Sequence, residues 1–323
     1  MLTRRRLCAA LGLALALPVQ AQATFPRIGY MALPTSTPNV RLAAFRQALR
    51  ELGYVEGGNV AIEYRSAEGK YERFPAIAED LVRLKVNVIV ADDGTPSVIA
   101  ARNATRTIPI VFTVVNDPVA SGIVKALGHP EANVTGLALR SPETTAKRLQ
   151  LLRELVPAVA RVAVLVNPRN ESMDAWRQEL PAAAARLDVE LIVEEARTIT
   201  EIEAAFDRAV REGAHGMILF DDALYYAEAA RIGSLATRNH LPVMGGNSVI
   251  AESGGLASYG ANRLELVRRS ATFVDKILKG ARPADLPVEQ ASIFELVINL
   301  RAANALGLTI LPSVLARADQ VIR

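Results

Sequence analysis

The chain reads as an α/β protein of two doubly wound, parallel-sheet lobes, and three observations say so. Strand-like and helix-like segments alternate from Arg27 onward. The strands are unbroken Val/Ile runs rather than two-residue alternations, the pattern of a sheet covered by helices on both faces. The alternating series also restarts midway, which gives a second sheet of the same kind.

In order, the first series is "RIGYM", a helix from Pro38 to Leu52 stopped by Gly53, "NVAIEY", a helix from Glu72 to Leu84, "VNVIVA", a helix near Ser97 to Ala104, and "IPIVFTVV". After "NVTGLAL" the second series runs through a helix from Pro142 to Val156, "RVAVLVN", a helix from Ser172 to Leu187, and "VELIVEEA". It continues with a helix from Ile199 to Arg211, "HGMILFD", a helix from Ala223 to Arg238, and "LPVMGG". The tail adds "GLASYG", a helix from Asn262 to Leu278, "LPVEQ" and "FELVINL". These are too few for a third domain, so they revisit the two lobes. The expected division is residues 24–138 with 257–288 for the first lobe, and 139–256 with 289–323 for the second.

Residues 1–23 are set apart. Arg4, Arg5 and Arg6 precede an apolar run from Leu7 to Leu17 and then Ala21-Gln22-Ala23, the order of a cleaved export signal. An 11-residue run is too short to cross a bilayer as a helix, which takes about 20. The twin arginines fit either a Sec or a twin-arginine route. The single cysteine, Cys8, leaves with this segment. Without the three signal arginines, 34 basic residues face 34 acidic ones, so the mature chain is formally neutral. That balance argues against nucleic acid or an acidic membrane as a partner. With no cysteine left, the fold rests on its apolar core, which 50% hydrophobic composition can supply.

Ligands of open parallel sheets bind beyond the C-terminal strand ends. The loops at those ends carry Tyr30, Asp92-Asp93-Gly94-Thr95-Pro96, Asn116-Asp117-Pro118, Asn167 through Asn170 to Ser172, Asp221-Asp222, and Gly245-Gly246-Asn247-Ser248. Carboxylates, amides, hydroxyls and helix N-termini together suit a small polar or zwitterionic ligand. For any single Asn or Ser the plainer reading is a helix cap. Asp117, directly beyond a fully apolar strand, is weighed evenly between cap and ligand contact. Asp221 and Asp222 are adjacent and cannot both be caps.

The stretches "FRQALRELGYVEGGNV", "VNDPVASGIV", "NVTGL", "KRLQLLRELVP", "GGLASYG", "DKILKGARPADLPVEQ" and "INLRAANALGLTILPSVLARAD" resemble the ABC-transporter substrate-binding protein family that includes tryptophan-binding lipoproteins. The resemblance spans nearly all of residues 26–320. It implies a type I periplasmic binding protein: two lobes joined by three crossings, an amino-acid-like ligand in the cleft, and permease subunits of an ABC transporter as partners. It also implies cleft contacts from Tyr30, Thr95, Pro96, Asp117, Asn167 to Ser172, Asp221, Asp222, Asn247 and Ser248. "NPRNES" and "FDDALYY" depart from the family pattern. A periplasmic monomer with no cofactor is expected.

Enzyme readings find little to stand on. His129, His215 and His240 have no metal-ligand spacing. "LASYG" lacks the first glycine of a nucleophile elbow. No catalytic or metal-binding residue is assigned. The competing classes are an extracytoplasmic sensory subunit of the same fold and, more remotely, an α/β hydrolase.

Overall fold

The structure, a computed structural model, describes residues 25–34, 39–130, 132–139, 141–170 and 173–323. The expected signal segment and Ser172 lie outside the described residues.

The first sheet is built from β1 (Arg27–Ala32), β2 (Ala61–Ser66), β3 (Val88–Ala91), β4 (Ile110–Val115) and β5 (Val134–Ala138). Between them run α1 (Val40–Glu51), α2 (Phe74–Arg83) and α3 (Thr95–Ala104). The second sheet begins with β6 (Arg161–Val166), β7 (Glu190–Glu195), β8 (Gly216–Leu219), β9 (Val243–Gly245) and β10 (Ala257–Ala261). Its helices are α4 (Ser141–Leu155), α5 (Met173–Leu187), α6 (Ile199–Arg211), α7 (Ala223–Ala227), α8 (Ala229–Arg238) and α9 (Ser248–Glu252). The tail supplies α10 (Arg263–Leu278), β11 (Glu289–Gln290), β12 (Phe294–Asn299), α11 (Leu300–Ala305), α12 (Pro312–Leu315) and β13 (Gln320–Ile322).

The sheets order as β11-β5-β4-β3-β1-β2 and β13-β12-β10-β9-β8-β6-β7. Every pairing is parallel except β10 with β12. The buried Val/Ile strands account for this, because each sheet carries an apolar cluster on both faces. The chain passes between sheets three times, after β5, after β10 and after β11.

Two expected boundaries are corrected. Residues 257–261 were expected in the first lobe, yet β10 pairs with β9 and β12 in the second sheet. Glu289–Gln290, expected in the second lobe, extend the first sheet beside β5. These two crossings therefore fall a few residues later than expected, because the strand completes its ladder before the chain leaves the sheet, while the first follows β5 at residue 138 as expected. The helix expected over 223–238 is two helices meeting at Glu228.

Caps explain several helix starts. Asn39, Thr198, Asn262 and Asn299 each accept backbone N–H groups of the turn they open. α10 packs on α1, β3, β4 and β5, so it belongs with the first sheet although it directly follows β10. That places its first residue, Arg263, at a crossing.

Candidate ligand-binding site

The C-terminal edges of the two sheets face each other across a crevice. Its deep part is a niche of about 20 Å³ whose lining includes Tyr71, Thr95, Asn116, Asn170, Asp222 and Arg263. A space of that size holds about one water. Beside it lies a chamber of about 610 Å³ whose walls include Arg41, Tyr226, Asn247, Ser248 and Leu264. Asp93, Ala223 and Arg263 border both. The chamber is the larger void, and both carry charged borders: Asp93, Asp221, Asp222 and Arg263 at the niche, and Arg41, Asp93, Glu252, Arg263 and Glu295 at the chamber.

On the first-lobe side, Asp92 and Asp93 form a buried acidic pair. The Tyr30 hydroxyl donates to Asp92 Oδ2 at 2.9 Å, and Thr113 donates to Oδ1. Arg41 bonds Asp93, and its Nε lies 3.4 Å from Asp92 Oδ2. Leu33 N–H donates to Asp93 Oδ2 at 2.8 Å. Burial pushes the Asp93 carboxyl up despite Arg41 beside it. Burial disfavours the Arg41 charge, but Asp92 and Asp93 outweigh it and hold the guanidinium above its ordinary range. Asp93 and Gly94 both adopt positive φ, 73° and 93°. For Asp93 that is a sparsely populated backbone state, of the kind that collects at ligand sites. α3 then starts with no side-chain cap from Gly94, and Gly94, Thr95 and Pro96 line the niche.

On the second-lobe side, Asp221 and Asp222 follow β8 and differ sharply. Asp221 Oδ2 accepts from Arg148 Nη2 at 2.6 Å, Oδ1 accepts from the Tyr226 hydroxyl, and Arg263 Nη2 lies 3.4 Å from Oδ1. The Arg263 guanidinium also covers the Tyr226 ring at 4.4 Å. Burial works against the Asp221 charge, but Arg148 and then Arg263 outweigh it and hold the carboxyl low. Among the described residues Asp222 has only neutral donors: Tyr71 hydroxyl at 3.0 Å, Asn167 at 3.3 Å and Leu224 N–H at 2.9 Å on Oδ1, and Asn170 at 3.0 Å on Oδ2. Burial pushes the Asp222 carboxyl up, and those hydrogen bonds only partly offset it.

Several contacts bridge the lobes. Asn116 Nδ2 donates to the Asp221 carbonyl at 3.1 Å. Tyr71, from the turn after β2, donates to Asp222, and Leu224 N–H donates to the Tyr71 oxygen at 3.2 Å. Arg263 reaches from the foot of α10 to Asp221. The lobes are closed on one another.

Of the residues expected from sequence, Thr95, Pro96, Asn116, Asn170, Asp221 and Asp222 line the niche, while Asn247 and Ser248 line the chamber. Tyr30 lies one layer beneath, fully buried, and acts through Asp92. Asp117 departs from expectation. Its Oδ1 accepts Val119 and Ala120 N–H at 3.0 and 2.9 Å, it caps its own turn, and it borders neither void. Tyr71, Arg41, Arg148 and Arg263 were not anticipated. Arg41 and Arg263 did leave a trace, since a cation in the first turn of a helix opposes the macrodipole and calls for another reason to be there.

Two α/β lobes closed over a crevice built from strand C-terminal ends define a cleft-type solute-binding protein. The chain belongs to the ABC transporter substrate binding protein family, whose model matches residues 39–322. It is 28% identical over 264 residues to a tyrosine-binding protein of Clostridioides difficile, covering 82% of this chain and 75% of that one. The ABC domain from Streptococcus pneumonia in complex with L-Trp superposes with a TM-score of 0.86 at 25% identity, covering 93% of this chain and 100% of the other. The ligand-free, open structure of a substrate-binding protein with adhesive properties from Clostridium difficile gives 0.68 at 27% identity, covering 92% and 99%. The lobe arrangement here is thus nearer to the liganded relative than to the open one. The chain is a solute-binding protein and not an enzyme. No helix among the described residues is long and apolar enough to cross a membrane.

Proposed function

We propose that this protein is exported to the periplasm, where as a monomer it captures an amino-acid-like ligand between its lobes and delivers it to an ABC permease. The observation that carries this reading is the pairing of a charged niche with an adjoining chamber of about 610 Å³, closed by contacts from both lobes. A chamber of that size falls within the range of small-molecule sites. The niche offers groups for both ends of a zwitterion: the uncapped first turn of α3 for a carboxylate, and Asp222 for an ammonium. The relatives named for tyrosine and solved with L-Trp point to aromatic members of that class. Closure presents a joined surface of two lobes to the permease, and no bond of the ligand is changed.

The test is a thermal-shift and calorimetric screen of the mature protein against the twenty L-amino acids. At a hundred times its Kd a true ligand adds about 2.7 kcal/mol of stability. We expect L-tyrosine or L-tryptophan among the binders. The amino-acid reading fails if none of the twenty shifts the transition at millimolar concentration.

A further inference from the structure

Between β10, which ends at Ala261, and α10, which opens at Arg263, the crossing is Asn262 alone, and one carboxylate grips it from both sides. On the strand side, Arg148 Nε donates to the Tyr259 carbonyl of β10 at 2.7 Å, while its Nη2 donates to Asp221 Oδ2 at 2.6 Å. On the helix side, Arg263 Nη2 reaches back to Asp221 Oδ1 at 3.4 Å. Tyr259, Arg148 and Asp221 ride with the second lobe, whereas Arg263 rides with α10 on the first sheet. Its guanidinium also lies over the Tyr226 ring, and the Tyr226 hydroxyl donates to the same Oδ1. The Asp221 main-chain carbonyl accepts Asn116 and Asn170 Nδ2, so both carboxylate oxygens and the carbonyl are engaged by protein.

The backbone around this point has little slack. A Cβ at Gly260 would stand 1.9 Å from the Gly246 carbonyl oxygen, a close approach of two main chains that only glycine allows. The crossings are also tied to one another. Asn262 N–H donates to the Ile293 carbonyl at 3.0 Å, and Ala291 N–H donates to the Ala138 carbonyl at 2.8 Å. What fixes the direction of the chain at Asn262 therefore bears on all three crossings.

A swing of the first lobe carries Arg263 with it, while Asp221 stays with β8. We propose that Arg263 is a positioning residue for capture: anchored on Asp221, it holds the Asn262 crossing in the direction the closed cleft requires, and it sets affinity through closure. Asp221 is accordingly part of the hinge, although it borders the niche. This rests on the reading of capture between the lobes, whatever the ligand is. Replacing Arg263 leaves Asp221 paired with Arg148, so the change loosens the hinge and spares the fold.

The experiment compares wild type, Arg263→Gln and Arg263→Lys by X-ray scattering without ligand, by thermal unfolding, and by calorimetric titration with L-tyrosine and L-tryptophan. Glutamine removes the charge, whereas lysine keeps a charge for Asp221 and loses the planar fork over the Tyr226 ring. The unliganded Arg263→Gln particle should be wider than wild type, with Arg263→Lys between the two and all three unfolding cooperatively. L-Tyrosine or L-tryptophan should bind Arg263→Gln roughly tenfold more weakly, because less of it is closed beforehand. If unliganded Arg263→Gln scatters like wild type, the proposal is overturned, and weakened binding in that case makes Arg263 a ligand contact instead. A wider particle that binds either amino acid as tightly as wild type overturns it too. Should Arg263→Gln lose its cooperative transition, Arg263→Lys decides: a particle wider than wild type supports the proposal and an equal one overturns it. If neither amino acid binds wild type, the amino-acid reading falls and the ligand-free scattering still decides the role of Arg263.

Discussion

Asp221 and Asp222 are neighbours with opposite electrostatics, and that difference is measurable. The native pKa of Asp221 is depressed, so its contribution to stability is present above the unfolded-state pKa and is lost as pH falls through the native value. The native pKa of Asp222 is raised, so between the unfolded and native values the folded chain holds a proton that the unfolded chain releases. Its contribution therefore declines as pH rises across that window and is unfavourable above it. Asp221→Asn leaves Arg148 and Arg263 buried without their carboxylate and should cost about 3–5 kcal/mol in urea unfolding at neutral pH. Asp222→Asn keeps the shape and the acceptor for Leu224 N–H, so the unliganded variant should melt no lower than wild type. A loss below about 1 kcal/mol for Asp221→Asn would remove the network from the account. Ammonium binding requires ionised Asp222, whose surroundings are Tyr71, Asn167, Asn170 and Leu224 N–H. Affinity should accordingly fall as pH drops through its raised pKa, with proton release on binding in acidic buffer. A flat affinity between neutral and strongly acidic pH would contradict that placement.

At the scale of elements, β9 and α4 meet through a glycine. A Cβ at Gly246 would stand 2.1 Å from Arg148 Nη2 and 2.2 Å from Asp221 Oδ1, so any larger residue there pushes the ion pair apart. Gly246→Ala should destabilise by about 1–3 kcal/mol and weaken ligand binding. Gly128→Ala, which opens on empty space, is the control. Equal urea midpoints for the two variants would mean the pair tolerates being moved. This contact also marks the limit of what the sequence made legible. The strands were readable because each is an apolar run, and the helix starts because Asn39, Thr198 and Asn262 are capping residues in the right places. The cleft loops were readable because parallel strands put their ends on one edge. Arg148 was not, because inside "KRLQLLRELVP" it looks like one more surface cation. Its burial depends on Asp221, 73 residues later, and on the Tyr259 carbonyl, 111 residues later. Tyr71 was hidden for the same reason, since its partner Asp222 is 151 residues away in the other lobe. Asp117 misled because a strand-end carboxylate suits a ligand and a turn equally well, and only the direction of its side chain decides.

For the whole molecule, the question is what holds two lobes together when only three crossings join them. Tyr71 to Asp222, Asn116 to the Asp221 carbonyl, and Arg263 to Asp221 are all made by protein alone. Each hydrogen bond nets about 0.5–1.5 kcal/mol, or about 1.5–3 when one group is charged. Opening the cleft returns these groups to water, so the closed state is favoured by a few such terms and opposed by the freedom of the separated lobes. A ligand shifts this balance only by its differential affinity for the closed form. Tyr71→Phe removes one bridge without touching either sheet and leaves Asp222 one donor poorer. By X-ray scattering, the unliganded variant should have a larger radius of gyration than unliganded wild type, and saturating ligand should bring both to the same smaller value. The variant should also bind more weakly, up to about tenfold for 1.4 kcal/mol, because less of it is closed and competent beforehand. Should wild type and variant scatter identically with and without ligand, hinge closure is not the device by which this protein binds, and the bridging contacts of Tyr71 serve only to fix a static cleft.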